Sequence, residues 1–285
     1  MKKLFSTILV TTTIVSINAE QPKIIEWDAK QYAQGNKTQY QAALNLLEKN
    51  NIETEDKDIL DVGCGTGEIS EFLAQTAKSV DGFDASHNMI EWAQEHHTSQ
   101  NNNISFTQSC AENWSSTKKY DLATMFFCFH WFADKQKALN QTAESLKKDG
   151  ELFGTFSTSD MPQPPGLAIV KKMMEDWKVQ TNFSESLGRS TVDTETLKAL
   201  LTNAGFDIIK CELQVHDAIF PERADLENFT RPVLMSRPFI QKMLPEKRER
   251  FLTEYIDTII PILQDNNTNQ LKLKMFMTIV HARKR

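Results

Sequence analysis

A short apolar run that stops on three glycines spaced two apart leaves few folds open to a chain. Residues 58–62 read Asp-Ile-Leu-Asp-Val, and Gly63, Cys64, Gly65, Thr66 and Gly67 follow at once. Glycine lets the backbone turn sharply and lets a ligand approach with no Cβ in the way. A helical pattern comes next, with Ile69, Phe72, Leu73 and Ala77 on one side. The free amides at the start of such a helix favour negative or hydroxyl-bearing groups. A strand, a glycine loop and a helix in that order predict a nucleotide-type cofactor site on an α/β sheet.

The glycine spacing separates two kinds of ligand. A dinucleotide fingerprint needs Gly-x-Gly-x-x-Gly, and position 68 is Glu. What stands is an acidic residue, Asp61, followed by Gly63, Gly65 and Gly67. A second acidic residue, Asp84, closes the next predicted strand. A carboxylate there can accept hydrogen bonds from two ribose hydroxyls, or can cap the following helix.

The stretch from Asp61 to Gly67 resembles motif I of the class I S-adenosylmethionine-dependent methyltransferases. Val80 to Asp84 with Ala85, Ser86, Met89 and Ile90 is similar to the same family's second strand and helix. The resemblance implies S-adenosylmethionine as cofactor, held by Asp61, Gly63, Cys64, Gly65 and Gly67, with Asp84 and Ala85 at the ribose. It extends to Ser109-Cys110-Ala111-Glu112, where the family has Gly-Asp-Ala-Glu around the adenine. Cys110 replaces the Asp, and a thiol is a weak acceptor, so adenine recognition would rest on the Ala111 backbone and apolar walls, with Cys110, Ala111 and Glu112 as the residues of that end. The stripe Phe126, Phe127, Phe129 and Phe132 reads first as core, with one ring, Phe126, the candidate to face the sulfonium. Trp27-Asp28-Ala29-x-x-Tyr32 and Phe127-Cys128-Phe129-His130-Trp131-Phe132 look like the small-molecule carboxyl methyltransferases of trans-aconitate and juvenile hormone acid type. That likeness implies Trp131 and Gln39 as contacts to a substrate carboxylate, and His130 as donor or base.

Strands are predicted at 58–62, 80–83, 104–108, 120–127, 151–156, 206–215 and 271–279. Helices are predicted over 26–50, in two pieces broken at Gly35-Asn36, after the loop, and over 89–100, 134–146, 168–179 and 194–204. Lys147, Lys148 and Gly150 are expected to end the helix at 134–146. Alternation at this spacing predicts right-handed βαβ units. The fold class is therefore α/β, a Rossmann-like, seven-stranded and mostly parallel sheet with helices on both faces; the last strand is expected to run antiparallel. A helical cap, from insertions at about 160–192 and 216–269, completes one domain over 20–285.

A net charge of −6 supplies no basic footprint, so no nucleic-acid partner is expected. The closing His281-Ala282-Arg283-Lys284-Arg285 reads as a solvated tail. His96 and His97 likewise read as solvated. No two of the four cysteines form a Cys-x-x-Cys pair, so no metal is expected. Residues 1–19 are different in kind: Lys2 and Lys3, an uncharged β-branched run, and Ala19 before Glu20. That is the pattern of a secretory signal peptide, too short for a membrane span, so export is expected and cytoplasmic residence is the alternative. The resemblance implies a small-molecule methyl acceptor as partner, and the chain is expected to be a monomer or homodimer without stable membrane insertion. Two other readings stay open on residues alone: a nicotinamide-dependent oxidoreductase, and a cofactor-binding or interaction protein without transfer activity.

Overall fold

The computed structural model of the chain describes residues 24–98, 102–180, 190–266, 268 and 270–285. The expected leader at 1–19 lies outside them, as does part of the first cap insertion. Two helices open the described chain, α1 (Ala29–Gly35) and α2 (Lys37–Lys49), broken at Asn36 where the Gly-Asn pair predicts. Then come β1 (Asp58–Val62), α3 (Glu68–Ala74), β2 (Ser79–Asp84), α4 (His87–His97) and β3 (Ile104–Gln108). They are followed by β4 (Tyr120–Met125), α5 (Lys135–Ser145), β5 (Leu146–Phe156), α6 (Pro165–Asp176) and α7 (Thr194–Asn203). The last part is β6 (Phe206–Phe220), α8 (Arg223–Met235), α9 (Pro238–Gln241), α10 (Pro245–Leu263) and β7 (Leu271–Lys284).

The seven strands form one sheet in the order β3-β2-β1-β4-β5-β7-β6. Strands β1 to β5 pair in parallel, and β7 runs antiparallel to both its neighbours, β5 and β6. Central strands in such a sheet are buried on both faces and read as unbroken apolar runs. Ile59, Leu60, Val62, Leu122, Ala123 and Met125 accordingly have no exposure. One face packs on α5 and α7 through Leu139, Ala143, Leu197 and Leu201. The other packs on α2, α3 and α4 through Leu46, Leu73, Ile90 and Ala93. A third apolar cluster joins α6 and α8 to α10 to the far ends of β6 and β7, around Phe220, Phe251 and Ile256. Among the described residues, no helix is long and apolar enough to cross a membrane.

Side-chain caps set several helix starts. Asp28, Ser86, Asp134 and Asp193 each accept a backbone N–H one turn on. For α4 the cap is Ser86, and Asp84 lies outside the helix.

The structure corrects the sequence reading in four places. The helix before β5 ends at Ser145, and the strand already starts at Leu146, which pairs with Tyr120. Lys147 to Gly150 bulge out between that pair and the next, Leu122 with Glu151. Lys147 there bonds Asp121 at 2.8 Å and Asp58 at 3.3 Å, so its charge serves strand ends rather than helix carbonyls. Second, β4 stops at Met125, because Phe127 takes a left-handed turn (φ 56°) and donates its N–H to Thr155 Oγ1 at 2.9 Å. Third, β6 and β7 run on to Phe220 and Lys284 as an extended antiparallel pair. The closing basic residues therefore lie in a strand: His281 Nε2 and Arg283 both reach Glu151, at 3.0 and 2.8 Å. Fourth, His97 is buried beside Glu71, 3.0 Å away, while its neighbour His96 stacks on Trp92.

Candidate active site

The carboxyl ends of β1, β2 and β4 open onto one cavity of about 310 Å³. This is the edge at which open α/β sheets hold ligands. Gly63, Gly65 and Gly67 all have positive φ, the conformation L side chains resist. At Gly63 a Cβ would lie 2.5 Å from Cys128 Cβ, so the loop is pressed against the turn after β4. At Gly65 the nearest atom to such a Cβ is Tyr32 Cε1 at 3.9 Å, so this glycine fronts open space. The loop is anchored from beneath. Gly63 and Cys64 donate their N–H groups to the Phe83 carbonyl at 2.8 and 3.0 Å.

Asp61 is almost fully buried and accepts from Ser70 Oγ at 2.5 Å and Thr124 Oγ1 at 2.8 Å. Burial raises its carboxyl above the ordinary range. It ties the loop to α3 and β4 and does not line the cavity. Asp84 does line it. Its carboxylate accepts from Ser86 N–H at 2.9 Å and Gly65 N–H at 3.2 Å. Burial outweighs those two bonds and lifts its pKa to about 6. A half-buried carboxylate in this position has lone pairs left for hydroxyl donors from a ligand.

The other end of the site comes from three separate segments. Gln39 from α2, and His130 and Trp131 from the 3-10 turn Phe129–Trp131, line the same cavity, as does Phe126. Gln39 Oε1 is buried and has no hydrogen-bond partner among the described residues. Such an orphan is costly unless a ligand supplies the bond. Trp131 packs edge-on against Trp27, which packs edge-on against Tyr32, with ring centroids 5.4 and 5.6 Å apart. Burial, followed by the charges of Glu68 and Asp84, pushes the Tyr32 hydroxyl far up, so it stays a donor.

The remaining sequence-derived residues lie apart from the cavity lining. Cys64 is buried under Gly82, Gly67 packs on Phe106, and the Ala85 carbonyl accepts from Gln108 at 3.1 Å. Cys110 and Ala111 sit at the 3-10 turn Ala111–Asn113 beyond β3. Glu112 is buried and accepts from the N–H groups of Ala133 and Asp134 at 2.8 and 3.3 Å, which fixes the turn before α5.

Glu26 is absent from the sequence-derived set. Its carboxylate accepts from Ser86 Oγ at 2.8 Å, His87 N–H at 3.2 Å and Asn88 N–H at 3.4 Å, on the first turn of α4. Asn88 returns a bond to the Trp27 carbonyl at 3.0 Å. A carboxylate at a helix N-terminus is held by the free amides and the dipole. These bonds tie the segment carrying Trp27, which lines the cavity, to α4. No local pattern could have revealed them, because the partners lie about sixty residues away.

The open face of Gly65 and the Asp84 carboxylate fit a polar nucleoside, and Gln39 and Trp131 line the same cavity. The chain matches the methyltransferase domain family over residues 30–210. A malonyl-[acyl-carrier protein] O-methyltransferase of Acetivibrio thermocellus is 34% identical over 209 residues, 70% of this chain and 73% of that protein. The juvenile hormone acid O-methyltransferase of Drosophila melanogaster is 25% identical over 243 residues, covering 79% and 80%. In fold, the YcgJ protein of Bacillus subtilis superposes with a TM-score of 0.56 at 17% identity, over 86% of this chain and 99% of that one. The magnesium protoporphyrin IX methyltransferase of Synechocystis with bound SAH gives 0.52 at 14% identity, over 90% and 86%. A nicotinamide cofactor is not favoured by these matches, which agree with the glycine spacing. The chain belongs to the class I S-adenosylmethionine-dependent methyltransferases.

Proposed function

We propose that the acceptor is the carboxylate of a small organic acid and that the reaction forms its methyl ester. The observation that carries this reading is that Gln39, whose buried Oε1 has no partner among the described residues, shares one cavity with Trp131 and the cofactor loop, where its amide, turned over, presents an NH2 to an acid. Two relatives whose names specify an O-methyltransferase, one of malonyl-acyl carrier protein and one of juvenile hormone acid, support it.

The bound sulfonium supplies a methyl group that is already activated. What remains for the protein is placement, which can contribute roughly 7–11 kcal/mol in well-oriented reactions. Asp84 and the Gly65 turn hold the nucleoside end. The indole N–H of Trp131 and the amide of Gln39, which can turn to present its NH2, orient the acceptor carboxylate. Trp27, Tyr32 and Phe126 exclude water from the space between. A carboxylate is ionised at neutral pH and needs no proton acceptor. His130 then acts as a donor or a packing partner of Trp131, its ring centroid 4.9 Å away. The test is a panel of small acids, alcohols and amines with radiolabelled cofactor. Alkali-labile label on acids alone supports the reading; label only on alcohols or amines refutes it.

We also propose that the protein is exported, on the strength of the pattern at residues 1–19. N-terminal sequencing of extracellular protein should begin near Glu20, and an intact Met1 there would refute cleavage.

A further inference from the structure

One edge of the sheet is β6, which pairs only with β7. Long open edges invite pairing with another chain, and proteins usually blunt them with charge or short length. This edge is fifteen residues long, and it carries four of the seven large apolar side chains that stand exposed among the described residues. They are Ile209, Leu213, Val215 and Ile219, each about half exposed. Single exposed apolar residues need no explanation, whereas a row of them on one strand does.

The order of these residues reads nearly the same in both directions. Side chains that meet across an antiparallel ladder share a sheet face, so a two-fold axis between two copies must fall on a residue. Placed at Gln214, the axis sets Leu213 opposite Val215 inside the regular ladder and brings Ile209, at the bulge, to the end of the ladder near Ile219. It also sets Glu212 opposite His216, and no like charges face each other. Moving the axis to Leu213 puts Lys210 against His216. Moving it to Val215 puts Leu213 against Asp217. Moving it two residues, to Glu212, sets that glutamate against its own copy. The apolar and charge patterns therefore choose one register. Isologous pairing of this kind closes after two copies and uses up the β6 edge of both.

We propose that two copies of this chain associate through β6, antiparallel about Gln214, to make one continuous fourteen-stranded sheet. The bulge between Ile208 and Lys210 limits the regular ladder to the stretch after it, with Ile209 and Ile219 packing at its ends. No β6 residue lines the cavity, although Leu273 to Met277 of the neighbouring β7 do, and the proposal does not depend on the acceptor's identity.

Sedimentation velocity and light scattering on the full chain at micromolar concentration test it. The expected mass is twice 32.6 kDa. A wild-type monomer overturns the proposal. The double variant Leu213→Lys with Val215→Lys should sediment as a monomer, and a dimer that survives both lysines overturns it. In case the lysine variant does not fold, cysteine cross-linking decides the register separately. In a Cys211→Ser background, Gln214→Cys should form an interchain disulfide with its own copy under mild oxidation. Leu213→Cys alone should not, and should cross-link only when mixed with Val215→Cys. Self-linking at 213 with none at 214 overturns the register.

Discussion

Asp84→Asn separates what this carboxylate costs the fold from what it gives the cofactor. Asp84 is lifted from the ordinary 3.8 to about 6, chiefly by burial. Between about pH 4 and 6 the folded protein keeps this proton while the unfolded chain has released it. Stability of the cofactor-free protein therefore falls as pH rises through that window and levels off above it. At 1.36 kcal/mol per pH unit the penalty at pH 7.5 is about 3 kcal/mol at most, and less because the side chain also borders the cavity. Asparagine removes the charge but weakens the bonds from Gly65 and Ser86, which costs about 1 kcal/mol. The variant should be more stable than wild type by about 1–2 kcal/mol at pH 7.5, and the gain should vanish near pH 4. Its affinity for S-adenosylmethionine should fall about 30–150-fold, since an amide accepts less strongly than a carboxylate from two ribose hydroxyls, a loss of about 2–3 kcal/mol. Urea unfolding at both pH values, with calorimetric titration of the cofactor, measures both effects. Equal destabilisation at the two pH values, together with unchanged affinity, would refute the argument.

Trp131→Phe keeps a ring against Trp27 but removes the N–H. We expect kcat/KM for the acid acceptor to fall by about 10–100-fold, with cofactor affinity unchanged, in steady-state assays paired with titration. Glu26→Ala removes the acceptor on the first turn of α4 and should cost about 1 kcal/mol in denaturant unfolding. It should also raise the accessibility of Trp27 to an aqueous quencher, and unchanged quenching would speak against this tie. Gly65→Ala forces a side chain into φ 55° and places a Cβ in the mouth of the cavity. A modest loss of about 1 kcal/mol in stability is expected, with a larger loss of cofactor binding, and the reverse ranking would show that the loop does not face the ligand.

The sequence by itself determined the sheet, the cofactor loop and the family. Each rests on short-range information: apolar runs bounded by turns, three glycines at fixed spacing, and an acid at the end of the next strand. Such signals act within a few residues, so local sterics and hydrogen bonding carry them. The tertiary structure alone decided which of those residues meet. Asp61 and Asp84 look alike in the sequence, yet the first is sealed under Ser70 and Thr124 while the second opens on the cavity. Glu112 stands in a motif that resembles an adenine site but holds the turn at Ala133. The basic end of the chain reads as a tail because nothing in it announces Glu151, its partner across the sheet. Glu26 reaches α4 from about sixty residues away. Contacts of that range depend on how helices and strands stack, and no window of neighbouring residues encodes the stacking.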